Sequence, residues 1–326
     1  MENKYLRMNY RRAGDSGLYL PEIALGLWHN FGINLPYDNM RDMVLTAFEN
    51  GITYFDLANN YGPTPGEAET IFGTILKNDL SSHRHELVIT TKAGYKMWDG
   101  PYGDNGSRKY LISSCEESLE RLGLSYVDIF YHHRMDKNTP LEETMGALED
   151  IVRSGKALYV GLSNYDGPTL EKATQILEER HVPFIVNQNR YSMLDRTIES
   201  NGLLEMTYKL KKGLVCFSPL AQGLLTDKYL NGIPNDSRVR TDGRFLKEKD
   251  ITPEKISKIK KLNEIAKNKN MSLADMALAW VLSKKEVTSV IIGASNKEQI
   301  LENVKAIKYE SFTNDELIKI DSICNS

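Results

Sequence analysis

The chain has 326 residues, 41% hydrophobic and 26% charged, with a formal net charge of −3. This is ordinary globular composition with ample material for a core, and it gives no general electrostatic reason to expect nucleic acid or an acidic membrane as partner. No apolar stretch follows the charged N-terminus, no run approaches the ~18 apolar residues of a membrane span, and Cys115, Cys216 and Cys324 lack metal-ligand spacing, so a cytoplasmic protein with reduced thiols is expected.

Residues 8–12 and 17–20 flank the turn-rich Ala13-Gly-Asp-Ser16, which predicts a small β-hairpin ahead of the main fold. From Glu22 onward short apolar runs alternate with longer amphipathic segments. Strands are predicted at 23–28, 53–58, 87–93, 127–133, 157–163, 184–189, 214–219 and 288–293. In 39–48, Met40, Met43, Val44, Ala47 and Phe48 follow the i, i+3, i+4 rule of a helix. Another helix opens at Pro140 with acidic residues in its first turn, and Gly155 is its expected C-terminal cap. The longest connection, from Ala221 to about residue 250, follows the seventh strand; ordered loops of this length are usually lids or binding loops. Helices over about 253–267 and 272–283 precede the eighth strand, and a last one covers about 314–323.

Strands alternating with helices imply parallel pairing. Eight units favour a closed (β/α)8 TIM barrel, one domain over 1–326, with an N-terminal hairpin and additional helices near the C-terminus. No Gly-x-Gly-x-x-Gly turn follows any predicted strand, which argues against a Rossmann nucleotide site.

Four polar residues stand at or just past successive strand ends: Asp56, Tyr61, Lys92 and His133. The carboxyl ends of the strands are where a β/α barrel keeps its chemistry. Side chains alternate along a strand, so His133 shares the inward parity of Tyr131 and Ile129, while His132 pairs with Phe130 and faces the helices. Lys92 ends an apolar strand, where an unpaired ammonium is costly to desolvate, and Asp56 is its obvious partner. A structural ion pair is one reading of the two. The functional one is that Lys92 lowers the pKa of Tyr61, about 10 when unperturbed, so that the phenol donates a proton near neutrality. His133 would then orient a substrate oxygen and stabilise charge developing on it.

Phe55-Asp-Leu-Ala-Asn-Asn-Tyr-Gly62, Thr91-Lys-Ala-Gly94 and Tyr131-His-His-Arg134 match the tetrad motifs of the aldo-keto reductases, which the chain resembles over essentially its whole length. Within the family it is most similar to the bacterial glyceraldehyde 3-phosphate (methylglyoxal) reductase branch, which lies near the potassium-channel β subunits. Gly26-Leu-Trp-His-Asn-Phe-Gly32, Gly100-Pro-Tyr-Gly103 and Ser218-Pro-Leu-Ala-Gln-Gly-Leu-Leu-Thr226 carry that similarity. The resemblance implies that Tyr61 is the proton donor, with Asp56, Lys92 and His133 as its partners.

It also implies a nicotinamide cofactor extended across the barrel mouth. Ser163, Asn164 and Gln188 match the positions that hold the carboxamide, and Phe217 the aromatic that stacks on the ring. Ser218 and Leu220, with Gln222 and Gly223, would wrap the pyrophosphate, and the loop bearing Lys228 and Arg238 would close over it. Past the eighth strand, Gly293 leads into a helix that Ser295 or Asn296 can cap, a ready anion site for the adenosine end. Gln299, Glu302 and Asn303 match adenine-contacting positions. The family's usual Lys and Arg around a 2′-phosphate are replaced by Ala294 and Gln299, so Arg238 is the candidate cation and NADP(H) the expected cofactor.

A small aldehyde substrate should sit over Tyr61 and His133, with Trp28 and Trp98 as walls and Tyr95 behind them. His29 and Arg134 are candidates to meet a substrate phosphate. A homo-oligomer, tetramer or octamer, is what the relatives imply. The expected activity is NADPH-dependent reduction of glyceraldehyde 3-phosphate, methylglyoxal or a similar small aldehyde. A nicotinamide-binding sensor with little turnover is the alternative; the channel subunits carry asparagine where this chain has His133. A Schiff-base aldolase using Lys92 is a third reading, which the segments 218–223 and 293–299 oppose.

Overall fold

The alternating apolar and amphipathic segments form a closed parallel barrel with helices outside it. The computed structural model describes residues 3–230, 232–233, 238–241, 246–309 and 311–325, the side chains of Arg238 and Thr241 excepted. Two short strands come first, β1 (Tyr10–Arg12) and β2 (Tyr19–Pro21), paired antiparallel as the expected hairpin. The barrel strands are β3 (Ile23–Gly26), β4 (Tyr54–Asp56), β5 (Val88–Ala93), β6 (Val127–His132), β7 (Ala157–Ser163), β8 (Phe184–Arg190), β9 (Gly213–Phe217) and β10 (Val287–Ile292). Neighbours in this order pair in parallel, and β10 closes on β3.

Period-2 alternation divides the core in two. Ala24, Tyr54, Val88, Ile129, Tyr131, Val186, Val215 and Ile291 form an interior group, and a larger apolar layer fills the space between strands and helices. Ala13 and Leu20 of the hairpin region join the interior group. Ala13 lies so near Gly213, at the start of β9, that a Cβ there would come within 3.1 Å. Arg11 donates to the carbonyls of Leu282 and Val287 at 2.8 Å each. The hairpin thus seals the end where the strands begin and leaves the end where they finish for chemistry.

Helix Tyr37–Glu49 buries Met40, Met43, Val44, Ala47 and Phe48, the predicted stripe. Helix Leu141–Arg153 follows Pro140, carries Glu142 and Glu143 in its first turn, and ends into Gly155 at φ +76°. Helices Pro253–Asn268 and Leu273–Leu282 precede β10, and Asn314–Asn325 comes last. β4 and β6 end one or two residues earlier than their sequence pattern suggests. Backbone pairing nevertheless continues: Leu57 N–H donates to Thr90 O at 3.0 Å, Asn59 to Lys92 O at 2.9 Å, and His133 to Ala93 O at 2.9 Å. Among the described residues no helix is long and apolar enough to cross a membrane.

Candidate active site

The parallel register pairs Asp56 with Thr90 and Lys92 with Tyr131, so Asp56, Lys92 and His133 each stand two residues further toward the barrel mouth than the one before. Lys92 is fully buried, at 0% exposure. Its Nζ donates to Asp56 Oδ2 at 2.6 Å, to Leu57 O at 2.6 Å and to Tyr61 Oη at 3.4 Å, which uses all three protons of an ammonium. An ion pair taken out of water costs several kcal/mol per ion unless its remaining hydrogen-bonding capacity is met. Here it is met on both sides. Asp56 Oδ1 accepts from Gln188 Nε2 at 2.8 Å, Thr90 Oγ1 at 3.1 Å and Tyr54 Oη at 3.4 Å.

Burial pushes the Lys92 ammonium down, while Asp56 pulls it back up by charge and hydrogen bond. Tyr61 departs from expectation. Burial, followed by the Asp56 charge and then Tyr95, holds its phenol well above the ordinary tyrosine value. The ammonium is compensated by a carboxylate 2.6 Å away and reaches Tyr61 only at 3.4 Å, so its pull is outweighed. Burial drives His133 well below its ordinary value, helped by the charges of Lys92, His132 and Arg134, so its imidazole is neutral. Its Nδ1 is buried with no hydrogen-bond partner among the described residues. His132 faces outward as its parity predicts: Nδ1 meets Tyr165 Oη at 2.7 Å, and burial pushes its pKa down to about 4.

Aromatic rings surround Tyr61 and His133. Trp28 lies 6.2 Å from Tyr61 between ring centroids and 3.7 Å from His29, the latter two rings tilted by 42°. Tyr95 meets His133 edge-on at 4.6 Å. Trp98 stands one step back, 5.4 Å from the Tyr110 ring. Tyr95, expected behind the tryptophans, is thus in direct ring contact with His133. Arg134 is turned to the loop after β5, bonding Gly94 O and Asp104 at 2.7 Å each.

On the cofactor side, Ser163 is buried at the end of β7, and Asn164 follows at φ +56°. Asn164 Nδ2 donates to His133 O at 2.9 Å and to Ser163 Oγ at 3.2 Å. Phe217 ends β9, with the Arg190 guanidinium 5.8 Å from its ring centroid. Beyond it Ser218, Ala221, Gln222 and Gly223 all take positive φ around half-buried Leu220, in a turn that the Ala221 and Gly223 N–H groups close on Ser218 O and Leu220 O at 2.9 Å each. Lys228 lies exposed in a single helical turn, Asp227–Tyr229. Arg238 opens the short helix Arg238–Thr241, and its side chain lies outside the described residues.

Gly293 follows β10 directly. Asn296, not Ser295, caps helix Lys297–Val304: its side chain accepts from Gln299 N–H at 3.0 Å. Gln299 Oε1 in turn accepts from Ser295 N–H at 2.9 Å. Asn30 and Asn39 reach across to the carbonyls of Ala294 and Ser295 at 2.5 and 2.9 Å. Glu302 is exposed and paired to Lys305 at 2.6 Å, whereas Asn303 is buried.

One layer escapes a reading of strand ends alone. Tyr54, Thr90 and Tyr131 sit two residues before Asp56, Lys92 and His133, hence on the same inward face. Tyr54 Oη and Tyr131 Oη are 2.9 Å apart, and the Tyr131 ring occupies space that only Gly161 leaves open, since a Cβ there would lie 2.2 Å from it. The signal was available: polar residues at inward positions where barrel interiors are normally branched and apolar.

Fold and constellation together define a barrel oxidoreductase, and the comparisons agree. The model of the aldo/keto reductase family matches residues 22–325, and the chain belongs to that family. It is 50% identical over 321 residues to L-glyceraldehyde 3-phosphate reductase of Escherichia coli (strain K12), covering 98% of this chain and 93% of that one. The protein of the same name from Escherichia coli O157:H7 matches equally, at 50% over 321 residues. A Schizosaccharomyces pombe protein provisionally named a voltage-gated potassium channel subunit beta is 36% identical over 327 residues, covering 97% of this chain and 93% of its own length.

Proposed function

We propose that this chain reduces small aldehydes of the glyceraldehyde 3-phosphate or methylglyoxal type to alcohols with NADPH, the proton coming from Tyr61. The observation that carries this reading is the fully buried Lys92, whose three donors go to Asp56, Leu57 O and the Tyr61 hydroxyl. A phenol held well above its ordinary pKa keeps its proton until an acceptor of comparable basicity appears beside it. An aldehyde oxygen becomes such an acceptor as its carbon is reduced. Tyr61 then gives up the proton, and the phenolate left behind faces Lys92. The neutral His133 orients that oxygen by hydrogen bond without adding a buried charge. General acid catalysis of this kind contributes roughly 10² to 10⁴ in rate.

The residues present suit a nicotinamide. The nitrogens of Asn164 and Gln188 are committed to protein acceptors, so their amide oxygens are what they offer the NH₂ of a carboxamide. Phe217 is half-buried at the end of β9, where it would stack on a planar ring, and the left-handed turn at 218–223 suits a pyrophosphate. Bound there, the cofactor supplies the hydride. Ser163 would support Asn164, while Lys228, Arg238, Gly293, Ser295, Gln299, Glu302 and Asn303 would line the adenosine end. Trp28 and Trp98 would wall the substrate.

The identity to the channel-subunit-named protein favours a second reading, a cofactor-holding sensor with little turnover. NADPH oxidation with methylglyoxal and with glyceraldehyde 3-phosphate, with NADH controls and a Tyr61→Phe variant, separates the two. Turnover that collapses by at least about 10² in Tyr61→Phe supports the reductase. Tight NADPH binding without turnover across an aldehyde panel would support the sensor.

A further inference from the structure

The loop after β5, residues 94–105, is tied at both ends by a single side chain. Arg134 donates through Nε to Gly94 O at 2.7 Å, and through Nη2 to Asp104 at 2.7 Å and Asn105 Oδ1 at 3.4 Å. Its guanidinium lies 4.4 Å from the centroid of the Tyr95 ring, and Tyr95 in turn meets His133 edge-on at 4.6 Å and 89°. The loop has little slack between these ends. Met97 N–H donates to Gly103 O at 2.8 Å, and a Cβ on Gly103 would come within 2.3 Å of Trp98 O. The Tyr110 hydroxyl donates to Tyr95 O at 2.5 Å.

We propose that Tyr95 is a further substrate-site residue, the wall beside His133, and that Arg134 is the positioning residue that holds it there. Resting on the aldehyde-reductase reading, this assigns Arg134 to the loop and takes it away from the substrate phosphate. The chemistry supports the assignment. A guanidinium presents a planar, pre-organised fork, which suits tying a carbonyl, a carboxylate and an aromatic face at once; a lysine ammonium cannot reproduce it. Asp104 already answers the charge, so a phosphate would have to compete with a carboxylate at 2.7 Å.

Arg134→Lys and Asp104→Asn test this against the wild type. The readouts are kcat and KM for glyceraldehyde 3-phosphate and for glyceraldehyde, which differ only in the phosphate, and amide hydrogen exchange across 95–105. Both variants are expected to lose the same factor on both substrates, about ten- to a hundred-fold and chiefly in kcat, as displacements near 1 Å do. Both are also expected to speed exchange at Met97 and its neighbours. A loss confined to the phosphorylated substrate would make Arg134 a phosphate ligand and overturn the proposal. Unchanged exchange with unchanged kinetics would overturn it too. If the wild type reduces neither aldehyde, the reductase reading fails instead, and the exchange data alone decide whether Arg134 holds the loop.

Discussion

Around β4, β5 and β6 the barrel mouth is held by side chains bonded to side chains: Lys92, Gln188 and Thr90 all donate to Asp56, and Tyr54 meets Tyr131. From β9 to helix Lys297–Val304 the backbone does the shaping. Ser218, Ala221, Gln222 and Gly223 turn through positive φ, and Asn30 and Asn39 fasten main-chain carbonyls of Ala294 and Ser295. The first arrangement depends on residue identity at every point, because each donor needs its acceptor. The second depends on conformation, which several residue types can adopt. Substitutions should therefore be severe on one side of the mouth and mild on the other.

Lys92→Met is expected to have the largest effect. It leaves Asp56 buried without its counter-charge, and breaking a buried pair from one side costs about 3–5 kcal/mol. Urea denaturation of the variant measures it. Adding Asp56→Asn should recover part of the loss, because the orphaned charge disappears with its carboxylate. A double variant no more stable than Lys92→Met alone would mean that packing, and not charge, sets the penalty.

Acid should strike the same side. His132 has its pKa pushed from 6.5 to about 4 by burial. Between those values the unfolded chain binds a proton that the folded chain does not, so stability falls as pH drops through 6.5 and levels off below about 4. From pH 7 to pH 5 the His132 share is about 2 kcal/mol. His133, also driven down by burial, adds to it in the same direction. Denaturation curves at the two pH values check the slope, and a His132→Asn variant should lose its own share.

The grouping of Asp56, Tyr61, Lys92 and His133 was legible because polar residues at the ends of apolar strands stand out, and period-2 alternation says which of them face inward. His133 and His132 were sorted on parity alone. The barrel, the hairpin and the C-terminal helices were legible for the same reason, periodicity. What sequence could not supply was competition between contacts. Nothing in the order of residues says that burial, with the Asp56 charge behind it, outweighs an ammonium 3.4 Å from Tyr61, which is why the phenol is raised and not lowered. Nor does it say that Arg134 finds Asp104 thirty residues upstream. The Tyr54–Tyr131 layer lay within reach of parity, and Gly161 marks it from the other side. Gly161→Ala should cost about 1–3 kcal/mol by overpacking against the Tyr131 ring, and should lower kcat with it, since that ring carries the hydroxyl bonded to Tyr54.

The smallest effect is expected where the backbone shapes the mouth. Gln222 sits at φ +62°, a conformation that costs a side-chain-bearing residue roughly 1–2 kcal/mol and glycine nearly nothing. Gln222→Gly relieves that strain in the folded state while loosening the unfolded chain, which opposes it by about 0.4–1 kcal/mol. The two partly cancel, so stability should rise by no more than about 1.6 kcal/mol. If the turn at 218–223 grips the cofactor through N–H groups, the NADPH dissociation constant should also stay within about two-fold of wild type, the range of a substitution that removes no essential contact. Fluorescence titration with NADPH reads this directly. A ten-fold weakening would show that the Gln222 side chain is itself a contact, and the mouth would then depend on residue identity on both of its sides.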